Sequence, residues 1–372
     1  MSRLYIGLMS GTSLDAIDAI AIDFSEPQPK IICHHDIDYP NEIKSDIRKI
    51  SQNSGQISLQ TLGELDYKLG IYYAQIVNEL LSKANLNAKD ITAIGSHGQT
   101  IFHSPAKKHP FSMQIGNGNI IAAKTGIPCI TDFRGMDIAV GGQGAPLAPA
   151  FHQALFSSTS ENRIILNLGG IANISVLSKS GRNIIGYDTG PANTLMDVWV
   201  HKHLGKKYDK NGQWARSGTI YQPLLTMLLD DPYFALSPPK STGTEYFHLA
   251  WLNQIIQKLP TTLNPVDIQA TLCELTAISV ANDIKKHLVD SIYVCGGGAE
   301  NVFLLERIQH LLPHIKITST TDLGIDSQLV EASCFAWLAH QYTLKKPGNL
   351  PSVTGARMPA ILGSLYYPPM AI

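Results

Sequence analysis

The chain has 372 residues and is short of charge: only 16% of them are Asp, Glu, Lys or Arg, and the formal net charge is −1. No basic stripe runs along it, which removes the electrostatic footprint of a nucleic-acid binder, and no acidic tail suggests a disordered end. Cysteine is scarce too. Cys33, Cys129, Cys273, Cys295 and Cys334 are odd in number, scattered, and form no C-x-x-C pair. That excludes a disulfide framework and a cysteine zinc site, and predicts reduced thiols in a cytoplasmic protein. No apolar run approaches the roughly 20 residues of a membrane-spanning helix. The first residues enter a strand without a charged leader, so no signal peptide is expected. The first glycine turn lacks both common nucleotide signatures: no Lys and helix follow it as in a P-loop, and no G-x-G-x-x-G opens a helix.

What is present begins at Leu4. An apolar run to Met9 meets the small polar turn Ser10-Gly11-Thr12-Ser13, and Ala19-Ile20-Ala21-Ile22 resumes between Asp18 and Asp23. This reads as strand, turn, strand. Bare backbone N–H groups and two hydroxyls at such a turn suit a phosphate, and they equally suit a plain structural hairpin. With 30 glycines and ample length, the chain can form two domains, each with its own core.

Lys30 to Tyr39 is a third strand. Leu59, Leu62, Leu65, Leu69, Tyr72, Tyr73, Ile76 and Leu80 recur at helical spacing and predict an amphipathic helix over 58–81. Ile91 to Ile94 is a buried strand running into a polar loop, Gly95-Ser96-His97-Gly98-Gln99-Thr100. Open α/β sheets place ligands at such strand ends. A short helix, Asn119 to Thr125, closes at Gly126. The breaker cluster Gly141-Gly142-Gln143-Gly144-Ala145-Pro146 lies near the expected domain boundary, giving domains 1–133 and 134–372, with room for the last segment to pack back on the first.

The second half repeats the first in pattern. Arg163 to Leu168 and Ile171 to Leu177 flank a Gly169-Gly170 turn, so two hairpins, one per domain, could hold a polyphosphate across a cleft. Ile184 to Tyr187 runs as a strand into Asp188-Thr189-Gly190-Pro191, with a helix near Leu195 to His203. Ser291 to Cys295 runs into Gly296-Gly297-Gly298, where three glycines allow close approach of a base and ribose, or form a tight structural turn.

Together Met9-Ser10-Gly11-Thr12-Ser13-Leu14-Asp15, Gly95 to Thr100, Asp132-Phe133-Arg134, Asn167 to Asn173, Asp188-Thr189-Gly190-Pro191 and Cys295 to Gly298 resemble the anhydro-N-acetylmuramic acid kinases. The set spans nearly the whole chain. The resemblance implies a two-domain α/β fold of the actin/hexokinase (ribonuclease H-like) kind, with a nucleotide cleft between the domains. It also implies ATP and Mg²⁺, a homodimer, and conversion of 1,6-anhydro-N-acetylmuramic acid with water to N-acetylmuramic acid 6-phosphate in peptidoglycan recycling. Neither a membrane nor a nucleic acid is expected as partner.

The same resemblance assigns roles. Asp188 is the base that takes a proton from water; capping the next helix is its structural alternative. Ser10, Gly11, Thr12 and Ser13 hold phosphates, with Gly169 and Gly170 opposite and Gly296, Gly297 and Gly298 at the nucleoside, while Asp15 neighbours Mg²⁺. The substrate's lactyl carboxylate calls for a cation, and Arg134 fits it, unless it pairs with Asp132 or Asp137. His97 hydrogen-bonds the sugar; its distance in sequence from His103 does not suit a helical zinc pair. Glu331 touches the sugar, or is a solvated Glu at a helix start. The 237–247 segment, rich in Pro and Gly, stays without a role. A conventional sugar kinase of this fold and a non-catalytic sugar or nucleotide sensor remain the alternatives.

Overall fold

The computed structural model describes residues 3–11, 16–52, 57–105, 108–182 and 184–370. The chain forms two compact units, Met1–Leu155 with Leu329–Ile372, and Phe156–Gln328. The Gly141–Pro146 cluster lies inside the first unit. There Asp137 holds it, its backbone carbonyl accepting from Gly142 N and its carboxylate from Gly144 N.

In the first unit β1 (Leu4–Ser10), β2 (Ala16–Asp23) and β3 (Lys30–Asp38) form an antiparallel meander. On the other side of β1, β4 (Ile91–Ser96) and β7 (Cys129–Thr131) run parallel to it. Between them in sequence, β5 (Gln99–Ser104) and β6 (Phe111–Ile115) make a separate two-stranded ribbon. The polar loop expected over 95–100 therefore shrinks to His97 and Gly98, because Gln99 and Thr100 are drawn into pairing with β6.

The helix Leu59–Ala84 covers one face of this sheet. Ser58 caps its start through Thr61 N, and Asn85 ends it in the left-handed region, φ 53°. Leu65, Leu69, Ile76 and Leu80 enter the core against Ile6, Leu8, Ile17 and Ala19. Leu59, also in the apolar pattern, instead stands 85% exposed.

A second helix, Val330–Thr343, packs on β1 and β4 at the closest distance the backbone allows. A Cβ on Gly7 would overlap the carbonyl oxygen of Ala332, and one on Gly95 that of Phe335. The helix can sit there only because neither strand position has a side chain.

The second unit has the same strand order. β8 (Arg163–Leu168), β9 (Ile171–Leu177) and β10 (Ile185–Pro191) are antiparallel, and β11 (Ser291–Cys295) and β12 (Lys316–Ser319) run parallel to β8. The order β10-β9-β8-β11-β12 matches β3-β2-β1-β4-β7, to which the first unit adds β13 (Ser364–Tyr366) beyond β7. The repeat seen faintly in the sequence is thus a repeat of topology. The Pro265–Ile284 helix packs Leu272, Leu275, Val280 and Ile284 into the same core as Ile164, Leu166 and Leu168. None of the five cysteines is in a disulfide. Among the described residues no helix is long and apolar enough to cross a membrane.

The glycine seat generates a stability prediction. Gly95→Ala should lower stability by about 1–3 kcal/mol, the usual cost of overpacking a tight interior. Gly63→Ala, whose Cβ meets nothing within 4 Å, should raise it by about 0.5–1 kcal/mol, since Ala is the better helix former. Urea denaturation of the two variants checks both signs.

Candidate active site

In the first unit the candidate residues gather where β1 and β4 end. Ser10 is 2% exposed, and its hydroxyl hydrogen-bonds the Tyr73 hydroxyl at 2.8 Å and donates to the Gly98 carbonyl at 3.1 Å. The expected ligand contact from Ser10 is therefore left to its backbone, because the hydroxyl is committed to the core. Tyr39 extends this network, donating to Gln99 Oε1 and lying 3.3 Å from the Tyr73 hydroxyl. Gly11 follows at the mouth of the turn. Thr12, Ser13 and Asp15 lie outside the described residues.

His97 continues from β4, its ring 4.6 Å from that of Phe335 on the Val330–Thr343 helix. Arg134 Nη2 lies 2.8 Å from His97 Nε2. A guanidinium only donates, so Nε2 accepts, and the imidazole is neutral with its proton on Nδ1. Burial, reinforced by the Arg134 charge, holds the His97 pKa well below the usual value, which agrees with that tautomer. Arg134 also donates from Nη1 to the Gly144 carbonyl at 2.7 Å.

Neither Asp132 nor Asp137 pairs with Arg134. Asp132 accepts from Gly135 N, and Asp137 Oδ1 accepts from Asn349 and Thr354. The ion-pair alternative for Arg134 is thereby removed. His97 Nδ1 and Arg134 Nε are buried donors with no hydrogen-bond partner among the described residues, an arrangement that suits acceptors of an incoming polar ligand. His103 is taken up on the ribbon, 2.9 Å from Ser112 Oγ.

Glu331 sits exposed in the first turn of the Val330–Thr343 helix. Its charge reaches Arg134 and also Asp18 on β2. Sequence reasoning gave Asp18 no role, yet its carboxyl is pushed up to about 6, first by burial and then by Asp36 and Glu331.

In the second unit Asp188 lies within β10, not in a loop after it, opposite Asn173 and beside a register shift before Gly190. It does not cap the following helix. The residue before Asn193–Leu204 is Ala192, with no side-chain cap. Instead, Asp188 Oδ2 accepts from Thr242 N at 3.0 Å, Asp188 N donates to the Lys240 carbonyl at 3.2 Å, and the Tyr233 hydroxyl donates to the Asp188 carbonyl at 2.7 Å. Burial pushes the Asp188 carboxyl up to about 6, with Glu245 adding to the rise and the Thr242 N–H and Lys240 opposing it. A carboxylate that titrates near neutrality has the basicity a general base needs.

The glycine motifs of this unit meet at the start of the Asn193–Leu204 helix. The N–H groups of Ala192 and Thr194 donate to the Gly170 carbonyl, and that of Asn193 to Gly169. Asn193 Nδ2 donates to the Leu168 carbonyl, and it is also the nearest neighbour a Cβ on Gly297 would meet, at 4.0 Å. The five glycines differ in what they need. A Cβ on Gly296, at φ +79°, would overlap Asn167 Oδ1, and one on Gly298 would come within 2.6 Å of Leu168 Cβ, so both are required by packing alone. On Gly169 and Gly170 the nearest atoms would be 3.6 and 3.8 Å away. A Cβ at Gly169, Gly170 or Gly297 would thus meet only ordinary van der Waals contacts, so packing does not require glycine there, whereas close approach of a phosphate or base would.

Two units that share one strand order, three antiparallel strands extended by two parallel ones, have the architecture of the actin/hexokinase-like fold. The sequence profile described as anhydro-N-acetylmuramic acid kinase matches residues 3–368. The chain belongs to that family. Its relatives include the anhydro-N-acetylmuramic acid kinase of Pasteurella multocida (strain Pm70), 52% identical over 365 residues, covering 97% of this chain and 96% of the relative. Another is the same-named protein of Coxiella burnetii (strain Dugway 5J108-111), 50% identical over 366 residues and covering 98% and 97%.

Two solved structures similar to this chain share less of its sequence. The activator of the 2-hydroxyisocaproyl-CoA dehydratase from Clostridium difficile with bound ADPNP has a TM-score of 0.46 at 15% identity over 92% of this chain and 97% of its own. A ROK family glucokinase from Streptomyces griseus has 0.41 at 14%, over 90% and 99%. At those scores neither adds to the assignment.

The contrast among the glycines predicts a split. Gly169→Ala, Gly170→Ala and Gly297→Ala should leave stability within about 0.5 kcal/mol of the parent, as for surface changes, while raising KM for ATP. Gly296→Ala should cost about 1–3 kcal/mol through overlap and left-handed strain. Thermal melts and steady-state kinetics on the four variants separate the two groups.

Proposed function

We propose that this chain uses ATP to phosphorylate O6 of 1,6-anhydro-N-acetylmuramic acid while adding water across the anhydro bridge, giving N-acetylmuramic acid 6-phosphate in cell-wall recycling. Family membership over nearly the full chain supports the reaction. The observation that carries the mechanism is Asp188: a half-buried carboxylate on β10 with its pKa pushed up to about 6 and one oxygen fixed by Thr242 N.

Asp188 takes a proton from water as the water oxygen bonds to C1. The C1–O6 bond breaks, its electrons go to O6, and O6 displaces ADP from the γ-phosphorus. Phosphoryl transfer of this kind needs positioning and charge neutralisation more than covalent help. Gly169 and Gly170 offer uncrowded backbone to phosphate oxygens, with Gly297 available to the nucleoside. Arg134 and neutral His97 bind the sugar: Arg134 serves the lactyl carboxylate, His97 Nδ1–H donates to a hydroxyl or acetamido oxygen, and Glu331 accepts from a sugar hydroxyl.

Mg²⁺ would neutralise phosphate charge. It is held by phosphate oxygens, water and one or two carboxylates and not by a dense ligand cluster. Among the described residues no group of three or more His, Cys, Asp or Glu forms such a cluster. The working form is a cytoplasmic homodimer.

With ATP, Mg²⁺ and the anhydro sugar in ¹⁸O-water, the product should carry one phosphate and one ¹⁸O at the anomeric carbon by mass spectrometry. A phosphorylated sugar without label, with anomeric exchange controlled, would make this a conventional sugar kinase. Asp188→Asn should bind ATP normally and lose about 10²–10⁴-fold in kcat, the range for a general base. For the parent, kcat/KM should fall tenfold per pH unit below about 6, because protonation of Asp188 removes the base. A profile flat to pH 5 would sink the assignment.

A further inference from the structure

The 237–247 segment has no role in the reaction as written, yet its Lys240 forms a deeply buried ion pair with a carboxylate from outside the segment. Lys240 Nζ lies 2.9 Å from Asp283 Oδ2, with the two side chains only 2% and 3% exposed. The ammonium stands 4.9 Å from the Tyr233 ring centre and 5.9 Å from that of Tyr187. Asp283 projects from the Pro265–Ile284 helix and also binds Lys286. Behind Tyr187, its hydroxyl meets His287 Nε2 at 2.7 Å.

Burying two charges is costly, and a similar-sized apolar pair is often as stable or more so. Stability is therefore a poor reason for this pair. Geometry is a better one. The backbone of Lys240 accepts from Asp188 N, and two residues on, Thr242 N donates to Asp188 Oδ2. Tyr233, against which the ammonium packs, donates to the Asp188 carbonyl. Outside the β10–β9 pairing, the hydrogen bonds that fix Asp188 thus come from the Lys240–Thr242 backbone and from the hydroxyl of Tyr233, whose ring the Lys240 ammonium packs against. Oδ1 accepts no hydrogen bond among the described residues, which leaves it as the oxygen to receive a proton.

We infer that Lys240 is a positioning residue: anchored by Asp283 between two tyrosines, it holds the 240–242 backbone so that Thr242 N–H pins Oδ2 of Asp188 and aims Oδ1 at the water. This rests on Asp188 being the base. The charged and titratable groups around that carboxylate are Lys240, Glu245, Tyr233, Tyr187 and Asp283, with Lys286 and His287 behind them. Of these, Glu245 raises the proton affinity of Asp188, while Lys240 and the Thr242 N–H lower it. Loosening the anchor weakens both lowering influences, so the acidic limb must move to higher pH.

The test is the pH profile of kcat for full-length Lys240→Met, Lys240→Arg and the double variant Lys240→Met/Asp283→Leu, with Asp188→Asn alongside. Both Met-bearing variants should lose about tenfold in kcat at neutral pH, a part of what a general base supplies. Their acidic limbs should shift upward, and KM for ATP should hold. Lys240→Arg should recover most of the rate. The double variant leaves no buried charge unpaired; it keeps the experiment decisive should Lys240→Met fail to fold. If the double variant folds with the parent's kcat and acidic limb, Lys240 is structural only and the inference is overturned. If Asp188→Asn keeps near-parental kcat, the base assignment itself falls, and that outcome is distinct from the first.

Discussion

Each unit depends on one strand that is paired on both sides. β1 lies between β2 and β4, and β8 between β9 and β11, one neighbour antiparallel and the other parallel. The antiparallel neighbour forces a turn directly after the central strand. The parallel neighbour must end at the same edge. Hence β4 delivers His97 and Gly98 beside Ser10, and the Ser10 hydroxyl reaches the Gly98 carbonyl. Likewise β11 delivers Gly296 to Gly298 beside Leu168 and the Gly169–Gly170 turn. Residues more than 80 positions apart meet because both follow the carboxyl ends of adjacent strands, where open α/β sheets bind ligands.

The charged groups then take their character from where that geometry buries them. Asp188 and Asp18 both have raised pKa values with burial as the first cause. His97 is held neutral first by burial and then by the guanidinium that donates to it. The environment separates these groups into carboxyls whose pKa is pushed up to about 6 and an imidazole that acts as a neutral hydrogen-bonding group, although nothing in their local sequence distinguishes one carboxylate from another.

The fold was largely legible. Alternating and continuous apolar runs located β1 to β4 and β8 to β11, and helical spacing found Leu59–Ala84 within a few residues of its ends. Errors arose where pairing overrode local character: Gln99 and Thr100 look like loop and are strand, and Asp188 looks like a helix cap and sits in β10. The candidate site was legible in its motifs and not in its reasons. Gly7 reads as part of an apolar run and Gly95 as part of a ligand loop, though the seat of a whole helix requires both. Gly296, Gly297 and Gly298 read as one motif, yet two are fixed by Leu168 and Asn167 and only the middle one would take a Cβ without a clash.

What the sequence determined by itself was periodicity, turn chemistry and the order of small-residue blocks, all properties of neighbouring residues, together with a family resemblance that named Asp188, Arg134, His97 and Glu331. What the tertiary structure decided was contact between distant segments. It bonded Arg134 to His97 and not to Asp132 or Asp137. It brought Lys240 and Thr242 onto Asp188, and turned the Ser10 hydroxyl inward. Those outcomes depend on burial and on which strand ends lie side by side, and neither quantity exists until the two sheets are assembled.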